Sequence, residues 1–196
     1  MKWISCFFDN SRIILFALPF KGPIYTQIEE AVDFVLRNIR LGATIDGLVR
    51  KERYELPPEA IREIIINAHC HRNLLDESCI QVAIYDDKLE VTSPGGLYNG
   101  LTYEEVMNGH SKIRNKGIAN IFSQMGLVEA WGSGIKRILN AAEEYGLPKP
   151  RFQEFDNMFR VELFRNLFPM MEENRDIGET SEKHRRSIGN RTTNRT

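Results

Sequence analysis

The segment from Pro57 to about Arg72 constrains the fold and function of this chain more than any other. Glu63, Asn67 and His71 are spaced four residues apart, so on a helix they lie along one line. A carboxylate beside an apolar stripe needs partners, because burying an uncompensated charge is costly. Bound metal and water with a phosphate behind them would satisfy the pair, but a solvated helix face with a capped asparagine also explains the spacing. The adjoining apolar stripe consists of Ile61, Ile64, Ile65 and Ala68.

The composition fits a globular domain and limits the partners. Hydrophobic residues make up 42% of the 196 residues, which is ordinary for a folded core. The formal net charge of −1 provides no global basic field for nucleic acid. The three cysteines lack CxxC spacing, and the apolar runs near the N-terminus are too short to cross a bilayer and lack a signal-peptide cleavage site. We therefore expect a cytoplasmic protein without membrane contact.

Apolar residues at helical spacing and at alternate positions together predict an α/β (α+β) two-layer sandwich, with helices on one face of a mixed β-sheet. A capping box of Thr102 and Glu105 predicts the start of a short helix. The remaining predicted elements are strands at 3–8 and 12–18, a helix at 24–38, a strand pair within 39–56, a β-hairpin at 80–91, helices at 118–125 and 135–142, and a strand at 159–163.

Three segments are predicted along the chain. Residues 1–56 hold N-terminal strands and a helix that lead into the core, residues 57–168 form the main domain, and residues 169–196 form a polar tail or linker. Eleven charged residues occur between positions 171 and 196, against three apolar ones. Such a segment buries too little surface to offset its ordering entropy, so we expect it to be disordered.

Two glycine-containing loops could approach a ligand closely. Ser93-Pro94-Gly95-Gly96 ends the predicted hairpin, and Gly132-Ser133-Gly134 precedes a predicted helix whose free N–H groups would suit a phosphate. A loop with Lys112, Arg114 and Lys116 lies between them and could close over phosphates. Each piece also has a plainer interpretation, namely a turn, a helix capped by Ser133, and a solvated basic loop.

In this order, the pieces resemble a known family. The stretches PPEAIREIIINAHCHRN, IYDDKLEVTSPGGL, RNKGIANIFSQMGLVEAWGSGIKRI and MFRVELF, between Pro57 and about Asn166, look like the C-terminal ATPase-like domain of RecG-related proteins. These proteins are labelled ATP-dependent helicases or transcriptional regulators, and the domain belongs to the GHKL superfamily of gyrase-like, Hsp90-like and histidine-kinase-like ATP-binding folds. Residues 1–56 resemble the family's preceding segment, whereas most of the upstream Schlafen-type AlbA domain has no counterpart. We therefore expect a shortened member or a fragment.

The resemblance implies roles for the matching positions. Glu63 is implied as the catalytic residue that orients and deprotonates water, and Asn67 as a ligand of Mg²⁺. The loop from about Leu97 to Lys116 corresponds to the ATP lid. ATP and Mg²⁺ are the implied cofactors. The implied nucleotide-binding residues are Asn67, Ser93, Gly95, Gly96, Arg114, Asn115, Gly132, Ser133 and Gly134.

The chain departs from the superfamily at the adenine-reading loop. Where the superfamily has Asp-x-Gly-x-Gly, this chain has Ser93-Pro94-Gly95-Gly96, without a carboxylate. Ser93 could accept a hydrogen bond, but a serine is a weaker reader than an aspartate. The chain also lacks a GxxxxGK[ST] phosphate loop, so a helicase motor is not expected.

Two functional hypotheses follow. The first is an ATP-binding, magnesium-dependent GHKL-like domain of a transcriptional regulator, with weak or regulated ATP hydrolysis. The second is a degenerate, non-catalytic module for homodimerisation or partner contact in a DNA-binding transcriptional regulator, which the missing aspartate favours. In both, DNA is bound only indirectly, through other domains, because the basic loop and the arginines of the tail give a weak electrostatic case.

A metal site built from His69, Cys70 and His71 is disfavoured by its spacing. Residues two apart on a helix face nearly opposite ways, whereas chelating pairs prefer a spacing of four. His69 and Cys70 are instead expected in the core or at its rim. His71 and Arg72 are expected to bring positive charge to the C-terminal end of the helix, where cations suit its dipole.

Overall fold

The computed structural model describes residues 13–14, 22–46, 49–128 and 132–166. The chain divides into two units after Arg165, and the described helices and strands belong to the first. The predicted strand at 3–8 and the predicted tail at 169–196 lie outside the described residues. Of the predicted strand at 12–18, only residues 13 and 14 are described, and they do form a strand.

Helices and strands alternate irregularly along the described chain. None of the described helices is long and apolar enough to span a membrane. In order, the elements are β1 (Ile13–Ile14), α1 (Ile24–Asn38), β2 (Leu41–Asp46), β3 (Val49–Tyr54), α2 (Pro58–His71), β4 (Gln81–Tyr85), β5 (Lys88–Pro94), α3 (Tyr103–Met107), α4 (Lys116–Gln124), α5 (Gly134–Glu144), β6 (Arg151–Phe155) and β7 (Met158–Phe164). The predicted capping box is present at α3, where Thr102 and Glu105 bond reciprocally.

The central sheet has the strand order β1-β4-β5-β7-β6, and β2 and β3 form a separate hairpin. The predicted α/β sandwich is confirmed, but the prediction of a mixed sheet is wrong, because every described pairing is antiparallel. Short connections account for the hairpin pairs. Asp86-Asp87 joins β4 to β5, and Asp156-Asn157, with φ of 44° and 58°, joins β6 to β7. Two-residue turns of this kind can join only antiparallel strands.

Helix α2 occupies the centre of the helical layer. Pro57 and Pro58 start it, since proline at the first helical positions sacrifices no hydrogen bond. Its isoleucines are almost completely buried, and α2 packs against β5 of the sheet and against α1, α4 and α5. Strand β4 meets this core with alternate residues, Val82 and Ile84 being buried. This packing holds the polar line of α2 rigidly against the start of α5.

Candidate functional site

A cavity of about 130 Å³ lies where α2, the end of β5, the lid loop (residues 97–115) and the start of α5 converge. Much of its wall is apolar, with contributions from Val91, Val106, Ile138 and Val161. The fold brings seven of the residues predicted from the sequence to this one cavity, although they come from three distant parts of the chain. These seven are Glu63, Asn67, Ser93, Gly95, Gly96, Gly132 and Gly134.

Glu63 and Asn67 form a bonded pair on α2. Asn67 Nδ2 donates to Glu63 Oε1 at 3.1 Å, and Arg137 Nη1 of α5 donates to Glu63 Oε2 at 3.2 Å. Glu63 is only 8% exposed, so the guanidinium compensates a carboxylate that has lost most of its water. Among the described residues, no group donates to Asn67 Oδ1, which leaves a hard oxygen available for a ligand.

The start of α5 is packed directly against this pair. A Cβ atom built on Gly134 would lie 2.3 Å from Glu63 Oε1 and 2.8 Å from Asn67 Nδ2, so any larger residue would have to displace this pair. Ser133 is the N-cap residue and makes no capping bond with its side chain. The first N–H groups of an α-helix have no partner within the helix and carry the positive end of its dipole. An anion next to Asn67 would therefore meet the helix end most suited to it.

The backbone of the lid loop passes close to the backbone of the Gly132-Ser133-Gly134 segment. Gly109 and Gly132 have φ of 93° and 88°, a region that favours glycine. A Cβ on Gly132 would lie 2.6 Å from the carbonyl oxygen of Gly109. The two glycines thus let the lid close tightly against the approach to α5.

At the other end of the cavity, the Ser93-Pro94-Gly95-Gly96 loop turns away from β5. Gly95 adopts φ of 102° and passes close to the backbone of Asn73. The Ser93 hydroxyl is buried and donates to the carbonyl oxygen of Ala68 at 2.9 Å. Among the described residues that line the cavity, Glu63 is the only carboxylate. No aspartate from another part of the described chain therefore takes the place of the superfamily's adenine-binding aspartate.

Arg114 and Asn115 do not line the cavity, nor does Ser133. Arg114 Nη2 donates to the carbonyl oxygen of Gly96 at 2.7 Å, and its guanidinium lies over the ring of Tyr98. Asn115 Nδ2 donates to the carbonyl oxygen of Arg72 at 2.7 Å. These bonds fasten the lid loop to the glycine loop and to the end of α2, so both residues hold the walls of the cavity in place. Their predicted contacts with a nucleotide stay predictions.

His71 lines the cavity, although it was not among the predicted site residues. Its four-residue spacing from Asn67 was the signal that could have identified it. The expectation that His71 places a positive charge at the end of α2 is wrong. Burial and the nearby charge of Arg114 lower its pKa to about 4, so the imidazole is neutral at physiological pH.

The neighbouring groups His69 and Cys70 are core residues, as expected. Burial raises the pKa of the Cys70 thiol to about 12, and the charge of Glu63 adds to this effect, so the thiol stays protonated and unreactive. His69 Nδ1 lies 2.8 Å from the carbonyl oxygen of Ile65 and donates to it. Its Nε2 is buried without a hydrogen-bond partner among the described residues.

The buried side chain of His69 should make the folded protein less stable in acid. Burial lowers the pKa of His69 from 6.5 to about 4, so the unfolded chain takes up its proton first as the pH falls. The free energy of unfolding is therefore not reduced by His69 above pH 6.5, and it declines as the pH falls from 6.5 to 4. The full loss due to this residue is up to about 3 kcal/mol. Urea unfolding of the wild type and of His69→Gln at pH 7 and pH 4.5 measures the effect. We expect the variant to lose less stability; equal losses in the two proteins would contradict the prediction.

Comparisons with known proteins agree with the predicted resemblance. Residues 77–163 match the model of a family described as "Putative ATP-dependent DNA helicase recG C-terminal". The matched stretch runs from just before β4 into β7, and includes both glycine loops and the lid loop. Over these residues the chain is therefore similar to an ATPase-like domain related to the recG C-terminus. A search of curated proteins found no match.

The fold is similar to that of a solved structure, the DIP2311 protein from Corynebacterium diphtheriae. The TM-score is 0.73 at 24% sequence identity, and the similarity covers 83% of this chain and 34% of that one. This chain thus spans about a third of the length of that protein. At this level of identity, the likeness concerns the fold alone.

Proposed function

We propose that this chain binds ATP with Mg²⁺ in the cavity between α2 and α5, as the GHKL-like domain of a transcriptional regulator, and that it hydrolyses ATP slowly. The main support is the packing of Gly134 against Glu63 and Asn67, which leaves no room for a Cβ atom. A purely structural contact has little need to hold a carboxylate, an amide and a helix N-terminus together at a cavity.

The residues fit the phosphate and metal end of a nucleotide. Asn67 Oδ1 supplies one oxygen ligand for Mg²⁺, which usually takes few protein ligands and completes its shell with water and phosphate oxygens. The N-terminus of α5 receives the phosphates through its free N–H groups. When bound, Mg²⁺ would neutralise phosphate charge and help to orient the phosphate chain.

We propose that Glu63 orients a water molecule, and the donors around its carboxylate support slow turnover. One carboxylate oxygen already accepts from Asn67, and the other from Arg137. A water that uses Glu63 as its base must share an oxygen with one of these donors. We therefore propose weak hydrolysis, with binding as the principal activity.

A second candidate is a module that binds no nucleotide and serves in homodimerisation or partner contact. One observation favours it, which is that the described residues lining the cavity next to Ser93 offer no carboxylate to the amino group of adenine. In either case we propose that DNA is contacted through other domains of a cytoplasmic regulator, because the net charge of this chain is −1.

Isothermal titration of ATP and ADP, with and without Mg²⁺, tests the proposal. We expect Mg²⁺-dependent binding by the wild type, and binding weaker by tens of fold in Asn67→Ala, the range typical for losing a residue that supports a metal site. Asn120→Ala is the matched control, since Asn120 is an exposed residue of α4 that does not line the cavity. A folded wild-type protein that takes up neither nucleotide would overturn the proposal and favour the second candidate.

A further inference from the structure

We propose that His71 and Ser93 form the nucleobase subsite of this cavity, and that they accept adenine and guanine alike. This inference rests on the proposed function, because it assumes that a nucleoside triphosphate occupies the cavity. Where an aspartate would select adenine strictly, these two residues would give a looser specificity for purine nucleoside triphosphates.

The direction of the subsite follows from the line of polar residues on α2. Glu63, Asn67 and His71 succeed one another at intervals of one turn, and the first and last are about 12 Å apart along the helix axis. With the phosphates at Asn67 and the start of α5, the rest of the nucleotide extends toward His71. The Ser93-Pro94 segment lies at the same end of α2, because Ser93 Oγ donates to the carbonyl oxygen of Ala68 and the carbonyl oxygen of Pro94 accepts from Asn73 N–H.

His71 and Ser93 differ in the hydrogen bonds they have left to offer. The Ser93 proton is committed to the carbonyl oxygen of Ala68, so its hydroxyl can only accept from a ligand. The His71 side chain takes part in none of the side-chain hydrogen bonds that join the described residues around the cavity. Because its pKa is lowered, the ring is neutral, with one donor and one acceptor that exchange places between the two tautomers.

These groups suit both purines. Adenine presents an amino group as a donor, whereas guanine presents the O6 acceptor together with N–H donors. An aspartate only accepts, which favours the adenine amino group. His71 can accept from adenine in one tautomer and donate to guanine O6 in the other, while Ser93 accepts from an N–H group of either base. The apolar side chains of Val91, Ile138 and Val161 provide walls for the ring.

Competitive titration with Mg·ATP, Mg·GTP and Mg·tripolyphosphate separates this subsite from the phosphate site. We expect the wild type to bind ATP and GTP with dissociation constants within about tenfold of each other, the worth of one hydrogen bond. His71→Leu should weaken both nucleotides by about tenfold and leave tripolyphosphate unchanged, and His71→Asn should recover part of the loss. Glu59→Gln, an exposed change on the same helix, should alter none of the three. Urea unfolding confirms that each variant is folded.

The outcomes distinguish the two proposals. If the wild type binds neither the nucleotides nor tripolyphosphate, the proposed function fails and this inference fails with it. If the wild type binds ATP more than about a hundredfold better than GTP, only the subsite assignment is overturned. Unchanged nucleotide binding in His71→Leu also overturns that assignment alone.

Discussion

Gly134→Ala is expected to weaken the binding of Mg·ATP by up to about a hundredfold and to leave the protein folded, because disturbing the groups that orient a metal ligand typically costs about ten- to a hundredfold in metal affinity. The new methyl group would lie 2.3 Å from Glu63 Oε1 and 2.8 Å from Asn67 Nδ2. Both are the far ends of side chains, so they can move aside without unfolding the helices. Their movement would break the Glu63–Asn67 bond and turn Asn67 away from the proposed Mg²⁺ position. Titration calorimetry and urea unfolding of the same sample measure both effects.

Two other glycines serve as controls. Gly132→Ala would place a methyl group 2.6 Å from the backbone oxygen of Gly109 at a φ of 88°, so it should lower stability as well as binding. Gly117→Ala in α4 meets no atom within 4 Å, so it should leave binding unchanged and raise stability slightly, because alanine favours a helix more than glycine does. A Gly134→Ala protein that binds Mg·ATP as the wild type does would show that the packing of α5 on Glu63 and Asn67 has no functional role.

The local part of the site could be predicted from the sequence. The pair of Glu63 and Asn67 follows from four-residue spacing on a helix, which depends only on helix geometry. The capping box at Thr102 and Glu105 is equally local. The glycines of the two loops were identified because few other residues tolerate tight turns and close backbone approach.

Contacts between residues that are far apart in the sequence could not be predicted from residue spacing. Arg137 is 74 positions from Glu63, and spacing gives no indication of that contact. The same holds for Arg114, whose charge helps to keep His71 neutral although 43 positions separate them. Strand β6 was missed because it is short and mostly exposed, although the Asp156-Asn157 turn beside it is a recognisable hairpin signal.

The sheet face formed by β5 and β7 carries buried charges, and this arrangement also escaped prediction. Glu90 and Glu162 lie directly opposite each other on these two strands, at 8% and 2% exposure. Like charges in such a position repel. Lys88 Nζ bonds to both carboxylates, and Arg160 and Arg151 each contact one of them. Burial would lower the pKa of Lys88, but its hydrogen bonds to Glu162 and Glu90 outweigh this and raise it, so the ammonium stays charged.

Lys88→Met is therefore expected to lower the free energy of unfolding by about 3 kcal/mol, the range for breaking a buried ion pair by removing one partner. The methionine fills the space of the lysine stem but leaves two facing carboxylates with one bridging cation fewer. Urea unfolding at pH 7 measures the change, and Arg37→Met, which breaks an exposed pair with Asp33, is the control expected to show none. Adding Glu90→Gln to Lys88→Met should recover part of the loss, because it removes the repulsion. If the double variant is no more stable than Lys88→Met, the loss comes from side-chain packing and the electrostatic explanation is wrong.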